Sequence, residues 1–231
     1  MSVLTSREGL VGQLILDRPS KAHAYDADML TALLAGAAAL AAECAVVVLS
    51  STGQRAFCGG ADLQAMPAAT PLDALDLRSQ HVFTALARLP CVVIAAIQGP
   101  AVAGGCELAL ACDLRVVGPR ASLSLPETSL GILPSAGGTT RLARLVGVSR
   151  AKALILGGDR IDAPTALASG LANRLAEDPL AEALAWAAAI AQRDRAAQRL
   201  AKAILDTEES AASLARERTA EAILYSRRPT R

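Results

Sequence analysis

Along the first half of the chain, short runs of β-branched apolar residues alternate with alanine- and leucine-rich stretches of helical periodicity. Residues 11–17 (VGQLILD) predict a strand stopped by Arg18-Pro19, and residues 26–43 a helix with Asp26 as N-cap. Residues 45–50 (AVVVLS) predict a buried strand. Residues 71–89 predict a second helix, striped by Leu72, Leu75, Val82, Leu86 and Leu89. Residues 91–97 (CVVIAAI) form another buried strand, with shorter ones at 114–117 and 121–125. After Thr139 the pattern is helical, with a long stretch at 179–205 and a last helix near 210–225. Strand–helix alternation followed by helices alone predicts an α/β fold with a helical C-terminal region.

One pattern occurs twice. Residues 46–63 (VVVLSSTGQRAFCGGADL) and 92–108 (VVIAAIQGPAVAGGCEL) each run from a buried strand through a polar turn to Gly-Gly, a small residue, an acid and a leucine. A Gly-Gly turn that leads into a helix leaves backbone N–H groups without intrahelical partners. It also lets a ligand approach the backbone closely. Two such turns can aim two donors at one developing oxyanion, although glycine pairs also suit plain tight turns. GxGxxG and GK[ST] are absent, so neither pair belongs to a dinucleotide or P-loop fingerprint.

Composition narrows the class. The 231 residues carry 23 basic and 22 acidic side chains, a net charge of +1, which lacks the basic field of a nucleic-acid or membrane-surface binder. With 51 alanines and only five aromatic residues, the chain suits close helix packing and not base-stacking platforms. The longest uncharged run, 89–106, is broken by Pro90, Gln98, Gly99 and Pro100, so no membrane span is expected. The N-terminus shows no basic run followed by an apolar core, so no secretory signal is expected. The five cysteines are odd in number and contain no CxxC pair, which predicts buried thiols in a reducing, cytoplasmic setting. Two histidines and no GxSxG elbow argue against a serine hydrolase.

Two acids fall in apolar surroundings. Glu107 lies in GGCELALAC and Glu127 in SLPETSLG after Pro126. Each suits a first-turn helix acid. Buried, either would have a raised pKa and exchange protons near neutrality. Their spacing of 20 residues does not by itself bring them together.

The segments LDRPSKAHAYDADML, AFCGGADL, IQGPAVAGGCELALACDLRV and LPETSLGILPSAGGTTRL occur in this order along nearly the whole chain. Together they resemble the enoyl-CoA hydratase/isomerase (crotonase) superfamily. The resemblance implies an α/β, crotonase-like spiral of ββα units over residues 1–178, holding the active site. Residues 179–231 would form a helical region used in oligomerisation, shorter than usual in the family. Homotrimers or hexamers are implied. The N–H groups of Ala61 and Gly104 match the family's oxyanion hole, and Glu107 and Glu127 its two catalytic glutamates. Gly60, Asp62, Leu63 and Gln64 match the run along pantetheine and CoA, which Lys21, Ala22 and Ala24 border.

By that resemblance the expected reaction is reversible addition of water to a trans-2-enoyl-CoA, giving a 3-hydroxyacyl-CoA. No metal or resident cofactor is expected, since CoA enters as the thioester substrate. A double-bond isomerase and a catalytically silent acyl-CoA-binding subunit are the alternatives. Three positions depart from the family pattern. His23 stands where asparagine is common and reads as a turn or hydrogen-bonding residue. Gln64 stands where lysine is frequent. The chain ends at SRRPTR, where relatives continue into a further helix. Asp113 reads as a structural acid, His81 as a pocket-edge or surface residue, and Trp186 as packing at an interface. Arg193, Arg195 and Arg199 read as a solvated face.

Overall fold

The computed structural model describes residues 2–64, 77–205, 218–220 and 223. Its elements in chain order are β1 (Val3–Glu8), β2 (Val11–Leu16), α1 (Ala27–Glu43), β3 (Val46–Ser51), α2 (Arg78–Ala87), β4 (Val92–Ile97), β5 (Pro100–Val102), α3 (Gly104–Leu110), β6 (Leu114–Val117), β7 (Ser122–Ser124), α4 (Gly138–Val146), α5 (Val148–Leu156), β8 (Arg160–Asp162), α6 (Ala163–Ala168), β9 (Arg174–Leu175), α7 (Pro179–Ala191) and α8 (Arg195–Leu205). Short 3-10 turns lie at Pro19–Lys21 and Glu127–Leu130.

A six-stranded sheet has the order β1-β2-β3-β4-β6-β9, antiparallel at β1-β2 and parallel elsewhere. A smaller sheet, β5-β7-β8, is extended by a parallel bridge between Cys58 and Ala101. The chain therefore climbs as a spiral. It leaves β3 for Cys58, β4 for β5 and β6 for β7, each time passing from the large sheet to the small one. The central strands are buried at nearly every position because both faces are covered, and are apolar apart from Ser50, Ser51 and Arg115. Val46, Val48, Ile94, Ala96 and Val116 meet Ala183, Ala187 and Ile190 of α7. Val47, Leu49, Val93, Ala95, Ile97 and Val117 face the larger core on the other side.

The predicted strands and the first helix lie within a residue or two of these elements, and Asp26 accepts the Met29 N–H at 2.9 Å as the α1 cap. Four strands carry too little pattern to be predicted. β1 is a polar edge, exposed after Val3, while β5 and β8 have three residues each and β9 has two. The stretch 179–205 is two helices, parted at Gln192–Asp194, where Asp194 accepts the Ala197 N–H at 2.8 Å. Residues 71–76 of the predicted second helix, and most of 210–225, lie outside the described residues; 218–220 and 223 are helical. Arg195 is not simply solvated, since its guanidinium donates to the Ala41 and Ala42 carbonyls near the end of α1. Asp113 is structural: it accepts the Val93 N–H and pairs with Lys202 at 2.7 Å. His81 is exposed on α2, and Trp186 carries the Arg174 guanidinium over its ring at 3.8 Å. All five cysteines are free and buried. Among the described residues, no helix is long and apolar enough to cross a membrane.

Candidate active site

The turn after β2 shapes one wall. Ala22 and His23 are consecutive left-handed residues, at φ 51° and 57°. Such backbone costs a non-glycine residue on the order of 1–2 kcal/mol, so the surroundings must hold it. The buried His23 ring does so. Its Nδ1 accepts the Arg18 N–H at 3.1 Å, and its Nε2 lies 2.9 Å from the Thr52 carbonyl. Burial depresses the imidazole pKa, and the neutral tautomer with its proton on Nε2 satisfies both contacts.

Upon this turn lies the first Gly-Gly segment. Gly59 N–H donates to the Ala22 carbonyl at 2.9 Å, Tyr25 N–H to the Gly60 carbonyl at 2.8 Å, and Asp62 N–H to the Tyr25 carbonyl at 2.8 Å. Arg18 pins the arrangement, reaching Asp62 at 2.9 Å, Asp26 at 3.3 Å and the Ala24 carbonyl at 2.8 Å. Burial alone would raise the Asp62 pKa, but Lys21, the Gln64 N–H and Arg18 hold it below the usual carboxylate range. Asp62 thus braces the loop.

The second Gly-Gly segment starts α3 and interlocks with the first. A Cβ on Gly60, at φ +93°, would stand 3.2 Å from Gly104 N; one on Gly105 would overlap the Cys58 carbonyl. These glycines are therefore required by close approach as well as by turning. Ala103, at φ 52° and ψ −126°, aims the start of α3 while its N–H donates to Ser124. The Ala61 and Gly104 N–H groups donate to no carbonyl among the described residues. Ala61 pairs in parallel with Tyr25, which leaves its own N–H on the opposite edge.

Glu107 and Glu127 converge beside these turns. Glu107, in the first turn of α3, is 4% exposed, and its Oε1 accepts the Ala136 and Gly138 N–H groups at 2.7 and 2.8 Å. Burial raises its pKa; those two donors and Arg141 oppose the rise. Glu127 is 5% exposed, and its Oε2 is buried with no hydrogen-bond partner among the described residues. Burial, reinforced by Glu107, pushes it up to about 7. Both carboxyls are thus raised above the ordinary carboxylate value, Glu107 with two N–H donors that oppose its rise and Glu127 with the charge of Glu107 adding to it.

The other predicted positions form the rim and frame. Ala22 and Ala24 are half-buried, their carbonyls held by Gly59 and Arg18. Leu63 and Gln64 are exposed, and Gln64 accepts from Lys21 Nζ at 2.9 Å. Gly60 is buried at the junction of the turns. Sequence reasoning missed Arg18 as a brace and Tyr25 as a neighbour of Gly104. Arg18 precedes a proline and reads locally as a strand terminator. Tyr25 has no pattern that marks its partner 79 residues later.

A ββα spiral carrying interlocked Gly-Gly turns and two buried carboxylates defines an enzyme scaffold of the crotonase type. The sequence profile described as enoyl-CoA hydratase/isomerase matches residues 6–230, and the chain belongs to that family. It is 36% identical to the short-chain-enoyl-CoA hydratase of Clostridium acetobutylicum, over 76% of this chain and 69% of that one. It is 34% identical to the crotonyl-CoA hydratase of Syntrophomonas wolfei, over 87% and 80%. The crystal structure of an enoyl-CoA hydratase from Bacillus anthracis superposes with a TM-score of 0.92 at 34% identity, covering 98% of this chain and 92% of the other.

Proposed function

We propose that this crotonase-superfamily enzyme adds water reversibly to a trans-2-enoyl-CoA thioester, giving a 3-hydroxyacyl-CoA. The observation that carries the reading is the unequal dressing of two adjacent buried glutamates. Two N–H donors favour the carboxylate form of Glu107, while Glu127 keeps an oxygen that has no partner among the described residues and favours its proton. Glu107 then takes a proton from water as the oxygen attacks C3, and Glu127 delivers a proton to C2. The charge that collects on the thioester oxygen meets the Ala61 and Gly104 N–H groups, which act at full strength where water is excluded. Pantetheine runs along the rim of Ala22, Ala24, Leu63 and Gln64, and the scheme calls for no resident cofactor.

The enzyme works as a homotrimer or hexamer in this reading, supported by exposed apolar side chains next to the site: Leu130, Ile132 and Leu133 are 61, 58 and 58% exposed. Five free thiols support a reducing, cytoplasmic setting.

A panel of trans-2-enoyl-CoA thioesters of increasing chain length tests the activity. Hydration removes the conjugated thioester absorbance and yields a 3-hydroxy product. Glu107→Gln and Glu127→Gln should each lower kcat by about a hundredfold or more with CoA binding retained. Conjugation gained from a 3-enoyl thioester, without hydration of the 2-enoyl isomer, would replace this reading with the isomerase. Full activity in either variant would remove that glutamate from the mechanism.

A further inference from the structure

Tyr25 touches both halves of the donor pair, one half with its backbone and the other with its side chain. On the backbone side, its N–H and carbonyl clasp Gly60 and Asp62 at 2.8 Å each, fixing the peptide plane from which the Ala61 N–H projects. On the side-chain side, the phenol lies directly on the Cα of Gly104. A Cβ there would overlap the phenol oxygen and stand 2.8 Å from Cζ. The start of α3 therefore rests on this ring, and only glycine leaves room for it.

The ring itself is held. It meets Phe83 edge to face, with centroids 5.6 Å apart and planes at 88°, and its hydroxyl hydrogen-bonds Ser79. Both partners belong to α2 and are buried, and Tyr25 is 8% exposed. An aromatic ring fixed on two sides is a stiff spacer, with few rotamers to explore. Stiffness matters here because oxyanion donors work only when placed about 2.7–3.1 Å from the charge as it develops. A displacement of about 1 Å can lower the rate by about a hundredfold.

Resting on the oxyanion-hole reading above, we infer that Tyr25 is a positioning residue that sets the separation and aim of the Ala61 and Gly104 N–H groups. Its backbone fixes one donor and its phenol fixes the other. Burial pushes the phenol pKa far upward, with Cys58, Glu107 and Glu127 adding to the effect. The hydroxyl thus stays protonated throughout the working range and contributes shape and a neutral hydrogen bond instead of a proton in transit.

Tyr25→Phe keeps the ring and removes the Ser79 bond; Tyr25→Leu removes the flat face as well. The full-length enzyme and both variants would be studied by infrared difference spectroscopy with butyryl-CoA carrying carbon-13 at the thioester carbonyl. In the wild type, the bound carbonyl stretch should fall below its value in water. It should return part of the way in Tyr25→Phe and most of the way in Tyr25→Leu. kcat for hydration should drop about tenfold and about a hundredfold respectively. Binding of free CoA, which has no acyl carbonyl, should stay within about twofold.

The inference is overturned if wild type and both variants share one shifted carbonyl frequency and one kcat. It is overturned equally if Tyr25→Phe moves a limb of the pH–rate profile, since the phenol would then be transferring a proton. An unshifted carbonyl in the wild type would instead overturn the oxyanion hole itself. Should Tyr25→Leu fail to fold, the Tyr25→Phe frequency and rate decide between these outcomes.

Discussion

At Glu127, burial of a carboxyl oxygen that has no hydrogen-bond partner among the described residues has a measurable consequence. Its pKa is raised from an ordinary 4.5 to about 7, with burial as the main cause. The folded enzyme therefore keeps a proton between those values that the unfolded chain gives up. Stability falls as pH rises through this window, by at most about 3 kcal/mol relative to Glu127→Gln. The difference is absent below pH 4.5 and complete above 7. The same titration governs rate, with the same sign in the two directions. Hydration starts with the proton on Glu127 and dehydration with it on Glu107, so both directions use the same singly protonated pair and release no net proton. Their kcat/KM should therefore decline together above about pH 7. A kcat/KM that keeps its full value well above pH 7, or a Glu127→Gln stability curve that tracks the wild type, would contradict this assignment.

At the scale of elements, the junction of the two Gly-Gly turns is the most exacting contact described. Gly105→Ala places a Cβ against the Cys58 carbonyl, 2.6 Å from its carbon, and backbone on both sides leaves nothing flexible to yield. The variant should lose about 2–4 kcal/mol of stability, and kcat should fall with it, because relief of the overlap parts the donor turns. Urea denaturation and steady-state rates check both effects; unchanged values in either would place the turns further apart than described. The strand-turn-helix grammar of this junction was legible, because buried parallel strands appear as unbroken apolar runs and Gly-Gly marks their exits. Its cross-connections were not. Arg18 reaches Asp62, 44 residues on, and Tyr25 reaches Gly104, 79 residues on. Neither side chain carries a periodic signal, for its partner is set by the climb of the spiral. Glu107 and Glu127 stood out through their apolar neighbours and through the family resemblance, but their unequal hydrogen bonding arises only when the loop leading into α4 delivers the Ala136 and Gly138 N–H groups.

For the whole molecule, the loop that joins Glu127 to α4 would couple chemistry to assembly in the homotrimer or hexamer proposed above. It carries Leu130, Ile132 and Leu133 outward while its far end supplies the donors to Glu107. Covering that apolar surface with neighbouring copies would steady the loop at both glutamates. Sedimentation equilibrium should give a mass of three or six times 23.7 kDa. Leu133→Asp should shift it toward one copy and lower kcat about tenfold. A monomeric wild type with full activity would rule out this coupling.

The backbone of Ala103, at φ 52° and ψ −126°, occupies a region where glycine moves freely and an L side chain does not. Alanine at that point leaves the peptide almost no neighbouring conformations to visit. The methyl group acts as a detent, trading a little static strain for a narrow angular spread of the following N–H. Precision in this enzyme therefore comes partly from withheld freedom, at a residue that touches neither water nor thioester.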